Sequence, residues 1–148
     1  MSEVQYGSLR EKIAAESTAR RERYAKFEAA FAKAKAAGLA AGEAHNPRPM
    51  TVQEGDLLTG KPAEGGKSWY VPEGVCGFAW VNVYPGSSSF AKWLVKNKHA
   101  SKAYKGGVSI WVSDHGQSYE RKGKHAEAMA KVLKDELGVE AYAGSRLD

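Results

Sequence analysis

The chain has 148 residues, 43% of them apolar and 26% charged, with a formal net charge of +5. That length suits one domain, or one domain with an appendage, and supplies a modest core without covalent staples. The lone cysteine, Cys76, excludes an internal disulfide and a cysteine-built zinc site, and no apolar run approaches the roughly 18 residues of a membrane span. The opening MSEVQYGSLREK lacks the basic-then-apolar pattern of a secretory signal, so the reading is a cytoplasmic protein with no membrane partner and a buried thiol in VCGFAWV.

From Leu9 to about Ala44 nearly every residue is a good helix former, with no proline and a first glycine only at Gly38, which predicts one long helix. Its apolar positions Leu9 and Ile13 give way to a polar stretch. They resume as Tyr24, Phe27, Phe31 and Ala34 at spacings of three and four. Something must cover that stripe, and the candidates are the rest of the chain, a second copy (a homodimer through this helix) or another protein. The small residues of AAGLAAGEA permit close backbone approach, and the prolines of NPRPM end the helix. Residues 1–46 thus read as an N-terminal helical arm, 47–67 as a linker or strap, and 68–148 as a compact α/β domain.

Within that domain, WYV, Pro72-Glu73-Gly74 and VCGFAWVNVY read as two strands joined by a tight turn. The second strand is apolar at both alternating sets of positions (Val75, Phe78, Ala79, Trp80, Val81, Val83), as expected of a central strand covered on both faces. Trp80 and Trp111 are assigned to the core on the same grounds. Ser87, Ser88 and Ser89 offer N-caps to a helix through FAKWLVKNK, whose Phe90, Trp93, Leu94 and Asn97 share one side while Lys92 and Lys96 face away. VSIWV follows as a strand, then a helix from about Tyr119 to Leu137 closed by Gly138, then the strand VEAYAGS. The fold class is α/β, with α+β as the alternative: a small mixed sheet of hairpin plus β-α-β-α-β, preceded by a long N-terminal helix. The helical crossovers predict parallel strands, and the N-terminal helix is a candidate cover for the sheet's second face.

Consecutive Ser113, Asp114 and His115 point to alternate sides of an extended chain and lack a G-x-S-x-G context, so they read as the polar mouth of a loop. No catalytic residue is assigned and an enzyme is not required. His45, His99, His115 and His125 have neither i, i+4 pairing nor a cysteine partner, so no metal is expected, and no cofactor motif is present. Parallel strands would place Ser87, Ser88, Ser118 and Arg146, with Arg121, along one sheet edge beside two helix N-termini. That arrangement suits a small anion such as phosphate.

The positive charge is concentrated late in the chain: residues 75–148 carry eleven basic and seven acidic side chains. Lys92, Lys96, Lys98, Lys102 and Lys105 pass with no acid among them, and Arg121, Lys122 and Lys124 follow. If both helices lie on one side of the sheet, these eight side chains merge into a basic surface that would bind nucleic acid by counterion release.

The strings GVCGFAWVNVYPGSSSFAKWL, GGVSIWVSDHGQSYERK and AYAGSRLD, with the upstream AAGLAAGEAHNPRPM, resemble a group of small proteins encoded by bacteriophages and prophages. The resemblance covers most of residues 33–148. It implies a setting, the bacterial host cell with the virion as a further location, and no catalytic or binding residue. The expected function is a non-enzymatic phage-type accessory protein that binds nucleic acid through the basic helical face. The alternatives are an interaction module using Tyr24, Phe27 and Phe31 against a host or phage protein, as an inhibitor or minor virion component, and a small-anion binder at the sheet edge.

Overall fold

The computed structural model describes residues 8–55, 58–61 and 65–148. The first helix, α1, spans Leu9–Ala44, and the Ser8 hydroxyl accepts from the Glu11 amide at its start. At about 1.5 Å per residue it is ~54 Å long. Its two halves differ. Residues 9–23 are exposed throughout, whereas Phe27, Ala30, Phe31, Ala34, Gly38 and Gly42 are buried. The second half is therefore built into the core and is not an arm beside it.

Strand β1 (Met50–Gln53) pairs antiparallel with β2 (Ser68–Val71) as a separate two-stranded sheet. The strap thus contributes a strand, and the expected 68–84 hairpin does not form. The turn at Pro72-Glu73-Gly74 is present, with Gly74 at φ 77 donating its amide to Val71 O. A Cβ at Gly74 would meet Arg48 O at 2.4 Å, so this turn steers the chain past the start of β1 and does not fold β2 back onto the next strand.

The main sheet takes β3 (Gly77–Tyr84), β4 (Ser101–Lys102), β5 (Val108–Trp111) and β6 (Glu140–Leu147) in the order β4-β5-β3-β6. Helix α2 (Ser89–Lys96) links β3 to β4, and α3 (Tyr119–Leu137) links β5 to β6. Every neighbouring pair is antiparallel, with Trp80 opposite Trp111 and Phe78 opposite Arg146. The expectation of parallel neighbours is corrected. Each helical crossover does join strands running the same way, but a third strand is interleaved between them, the split β-α-β pattern. The interleaved strands are β5 and β3, while the two-residue β4 lies at the sheet edge and carries too little pattern to be seen in sequence.

Burial along β3 alternates strictly, and Ala79, Val81 and Val83 are sealed against the helices. They meet Val108, Ile110, Val112 and Ala141 from the sheet, and Phe90, Leu94, Ala126, Met129 and Leu133 from the helices. Helix α1 packs on α3 and touches α2, with the Phe27 ring 5.3 Å from Phe90 and Phe31 edge-on to Trp93 at 6.0 Å. It therefore joins the helical layer. Among the described residues nothing covers the other sheet face, so β3 is a one-sided strand and Trp111 is half exposed, not core. Cys76, expected buried, is only partly so.

The Tyr24, Phe27, Phe31 stripe is also accounted for within the chain. Phe27 and Phe31 are buried and the partly buried Tyr24 packs against the same cluster, while Tyr24 and Phe31 also border an open groove of about 800 Å³ with Trp93 and His99.

Candidate nucleic-acid interface

Five lysines gather around α2 and β4. Ser88 caps α2 by accepting from the Ala91 amide, which fixes the helix phase: Phe90, Trp93 and Leu94 turn inward, leaving Lys92 and Lys96 outside. Lys98 follows at the helix end, Lys102 lies on β4 and Lys105 in the loop to β5. All five are exposed, and among the described residues none has a carboxylate partner. Lys92, Lys96 and Lys102 border an open groove of about 560 Å³ with Val95 and Val108 in its lining and Ser87, Gly106 and Gly107 at its margin. Gly107, at φ 71, lies so near the Tyr84 ring that a Cβ would come within 2.6 Å, which lets the loop turn tightly back into β5. Unpaired like charges around an apolar floor attract phosphate and release its counterions.

The other three cations do not join this surface. Helices α2 and α3 share no substantial contact, and α1 touches both. Arg121 is committed to structure: Nε donates to Glu73 at 2.6 Å and Nη1 donates to Gly42 O and Glu43 O, capping the carbonyl end of α1. Lys122 is buried, with its ammonium 5.6 Å from the centre of the Phe78 ring. Lys124 lies 3.5 Å from Glu127. The predicted eight-residue face is thus divided, and Lys92, Lys96 and Lys102 around the groove form its coherent part.

The predicted anion quartet is also dispersed, for the reason that reversed the strands. Ser87 and Ser88 follow the C-terminal end of β3, while Ser118 bridges Cys76 and Arg146 pairs with Phe78 near the opposite end. The span from Phe78 to Tyr84 is ~20 Å at about 3.3 Å per residue. Ser118 is buried and fully used, accepting from the Arg121 amide and donating to Glu73 O. Beside it, Glu120 takes hydrogen bonds from His45 Nε2 and the Arg48 amide, which hold its carboxyl below the usual range.

His115 leaves Ser113 and Asp114 behind: at φ 72 the chain turns, and the imidazole meets His125, Nε2 to Nδ1, at 3.0 Å. This pair escaped sequence reasoning because ten residues and a loop separate its members. Burial first, and then the neighbouring His115, push the His125 pKa down, while Asp114 opposes them. A folded-state pKa below the unfolded value near 6.5 gives stability that is present above that pH and lost as the pH falls through the lowered value. Melting temperature should therefore decline between pH 7 and 5, and His125→Gln should flatten the decline; equal slopes for both proteins would rule the pair out as its cause. Among the described residues no group of three or more His, Cys, Asp or Glu could hold a metal ion. Among the described residues no helix is long and apolar enough to cross a membrane.

No family model, curated protein or solved structure matches the chain. The geometry therefore carries the functional reading, and it includes a second surface. On the uncovered sheet face the Trp80 and Trp111 rings stack at 5.9 Å and 7°, with Phe78 at 5.5 Å from Trp111. Gly144 makes this possible: a Cβ there would meet Trp80 Nε1 at 2.4 Å, so the indole lies flat against the β6 backbone. Toward the other end Tyr84 and Tyr142 lie 6.2 Å apart, and Lys134 sits 4.6 Å over Tyr142. Aromatic residues at strand positions read as core in sequence; only the missing cover reveals them as surface.

Proposed function

We propose that this protein is a non-enzymatic nucleic-acid binder, an accessory protein of the phage type its sequence resembles, acting in the cytoplasm of a bacterial host. The observation that carries this reading is the run of five exposed lysines without carboxylate partners among the described residues, three of which, Lys92, Lys96 and Lys102, border the α2–β4 groove. Lysines on a solvated helix face ordinarily alternate with acids. Here the cations stand unneutralised beside one another, and a phosphate backbone is the counter-charge they suit. The alternative of a host or phage protein docked on Tyr24, Phe27 and Phe31 has less to recommend it, since Phe27 and Phe31 are buried within the chain.

Fluorescence anisotropy with labelled oligonucleotides across a salt series tests the proposal. Affinity should fall steeply with salt, and the Lys92→Ala/Lys96→Ala/Lys102→Ala protein should bind more weakly, with a log–log slope reduced by about one per lysine that contacts phosphate. An absence of binding at low salt, or a variant indistinguishable from the parent, would remove it.

A further inference from the structure

We propose that the uncovered face of the four-stranded sheet binds single-stranded nucleic acid, stacking its bases on Trp111, Trp80 and Phe78 with the exposed Arg146 against the phosphates. This deepens the nucleic-acid reading and rests on it. The stacked indoles offer a flat aromatic surface on the two central strands, and Trp111 is 50% exposed. The Phe78 ring beside them carries two cations, with the Arg146 guanidinium 5.1 Å and the Lys122 ammonium 5.6 Å from its centre. Neither cation has a carboxylate partner among the described residues. In the registered long strands the acid on this face is Glu140, opposite Tyr84 at the far end of β3.

Aromatic faces with adjacent positive charge match the chemistry of an unpaired strand, whose bases are free to stack and whose phosphates need neutralising. A duplex keeps its bases stacked internally and has none to offer. A second copy of the chain is the poorer occupant, because an isologous contact through this face would bring the same cations toward one another. In the middle of the face the Ser109 hydroxyl donates to Asn82 Oδ1 at 2.8 Å, placing a polar pair where base edges would lie.

The test uses the full chain with short labelled oligothymidine, oligouridine and a duplex of mixed sequence. The single strands should bind more tightly than the duplex and quench tryptophan emission. Trp111→Ala should weaken single-strand binding about tenfold or more while leaving the salt slope unchanged. Trp111→Phe should retain most of the affinity, and Trp69→Ala, an exposed indole on β2, should bind as the parent does. Arg146→Ala should weaken binding and lower the salt slope, giving a second reading if Trp111→Ala fails to fold by circular dichroism. Lysine-dependent binding that ignores Trp111 and Arg146 would overturn base stacking and leave the proposed function standing. Failure of every oligonucleotide to bind would overturn both. Dimers in light scattering that Trp111→Ala dissociates would assign the face to self-association and sink the proposal.

Discussion

Phe31→Ala is expected to lower stability by about 3–5 kcal/mol, a large share of the ~5–15 kcal/mol that holds a domain of this size together. Phe31 projects from the middle of α1 and is 6% exposed, edge-on to Trp93 at 6.0 Å and 4.4 Å from the His99 ring. Removing its ring loses transfer energy, leaves a cavity and deprives Trp93 of an aromatic partner, each term having the same sign. Leu9→Ala and Ile13→Ala serve as controls from the same helix. Those side chains are 74% and 56% exposed, and their loss should change stability by less than about 0.5 kcal/mol. Urea denaturation measures all three. A Phe31→Ala change below about 1 kcal/mol would show that the second half of α1 does not belong to the core, and that a chain beginning after it could fold alone.

Gly42→Ala and Gly38→Ala should each destabilise the protein by about 1–3 kcal/mol, although the same exchange inside a solvated helix gains roughly 1 kcal/mol. The reversal of sign is the informative feature. A Cβ at Gly42 would lie 2.2 Å from His115 Nε2, and one at Gly38 2.6 Å from His125 Cδ2. The two glycines stand four residues apart on one side of α1 and accommodate the hydrogen-bonded imidazoles of the α3 layer. Gly42→Ala combined with His115→Ala should cost less than the sum of the separate changes, because the clash disappears with the ring. Additive effects would mean that the glycines serve backbone entropy alone. Small residues in AAGLAAGEA indicated close approach; they could not indicate that histidines would approach.

Much of the local structure was legible in the sequence. Helix formers from Leu9 to Ala44, the serine caps at Ser88 and Ser118, and Gly138 with its positive φ mark three helices near their observed limits. These are short-range signals in which side chain and backbone partner lie within one turn. The lysine cluster was legible for the same reason, since a run without acids stays unneutralised unless a distant carboxylate arrives, and none does among the described residues. Arg121 shows the opposite outcome: its partners Glu73, Gly42 and Glu43 are remote in sequence, and a predicted ligand contact became a cap on α1.

Strand partnership and the identity of the open face depended on long-range packing. Strand pairing compares hydrogen-bonding edges far apart in the chain, and the edge strand β4, two residues long, is too short to carry a pattern. Phe78, Trp80 and Trp111 have the composition of a two-sided core strand. Whether they are core or surface depends on where α1 docks, and its aromatic stripe would suit either side of the sheet. Because Phe27 and Phe31 meet Phe90 and Trp93 in the helical layer, the indoles are left facing outward. Hydrophobic pattern requires that an apolar stripe be covered; it does not say by what, and in this protein that choice separates a buried core from an exposed aromatic surface.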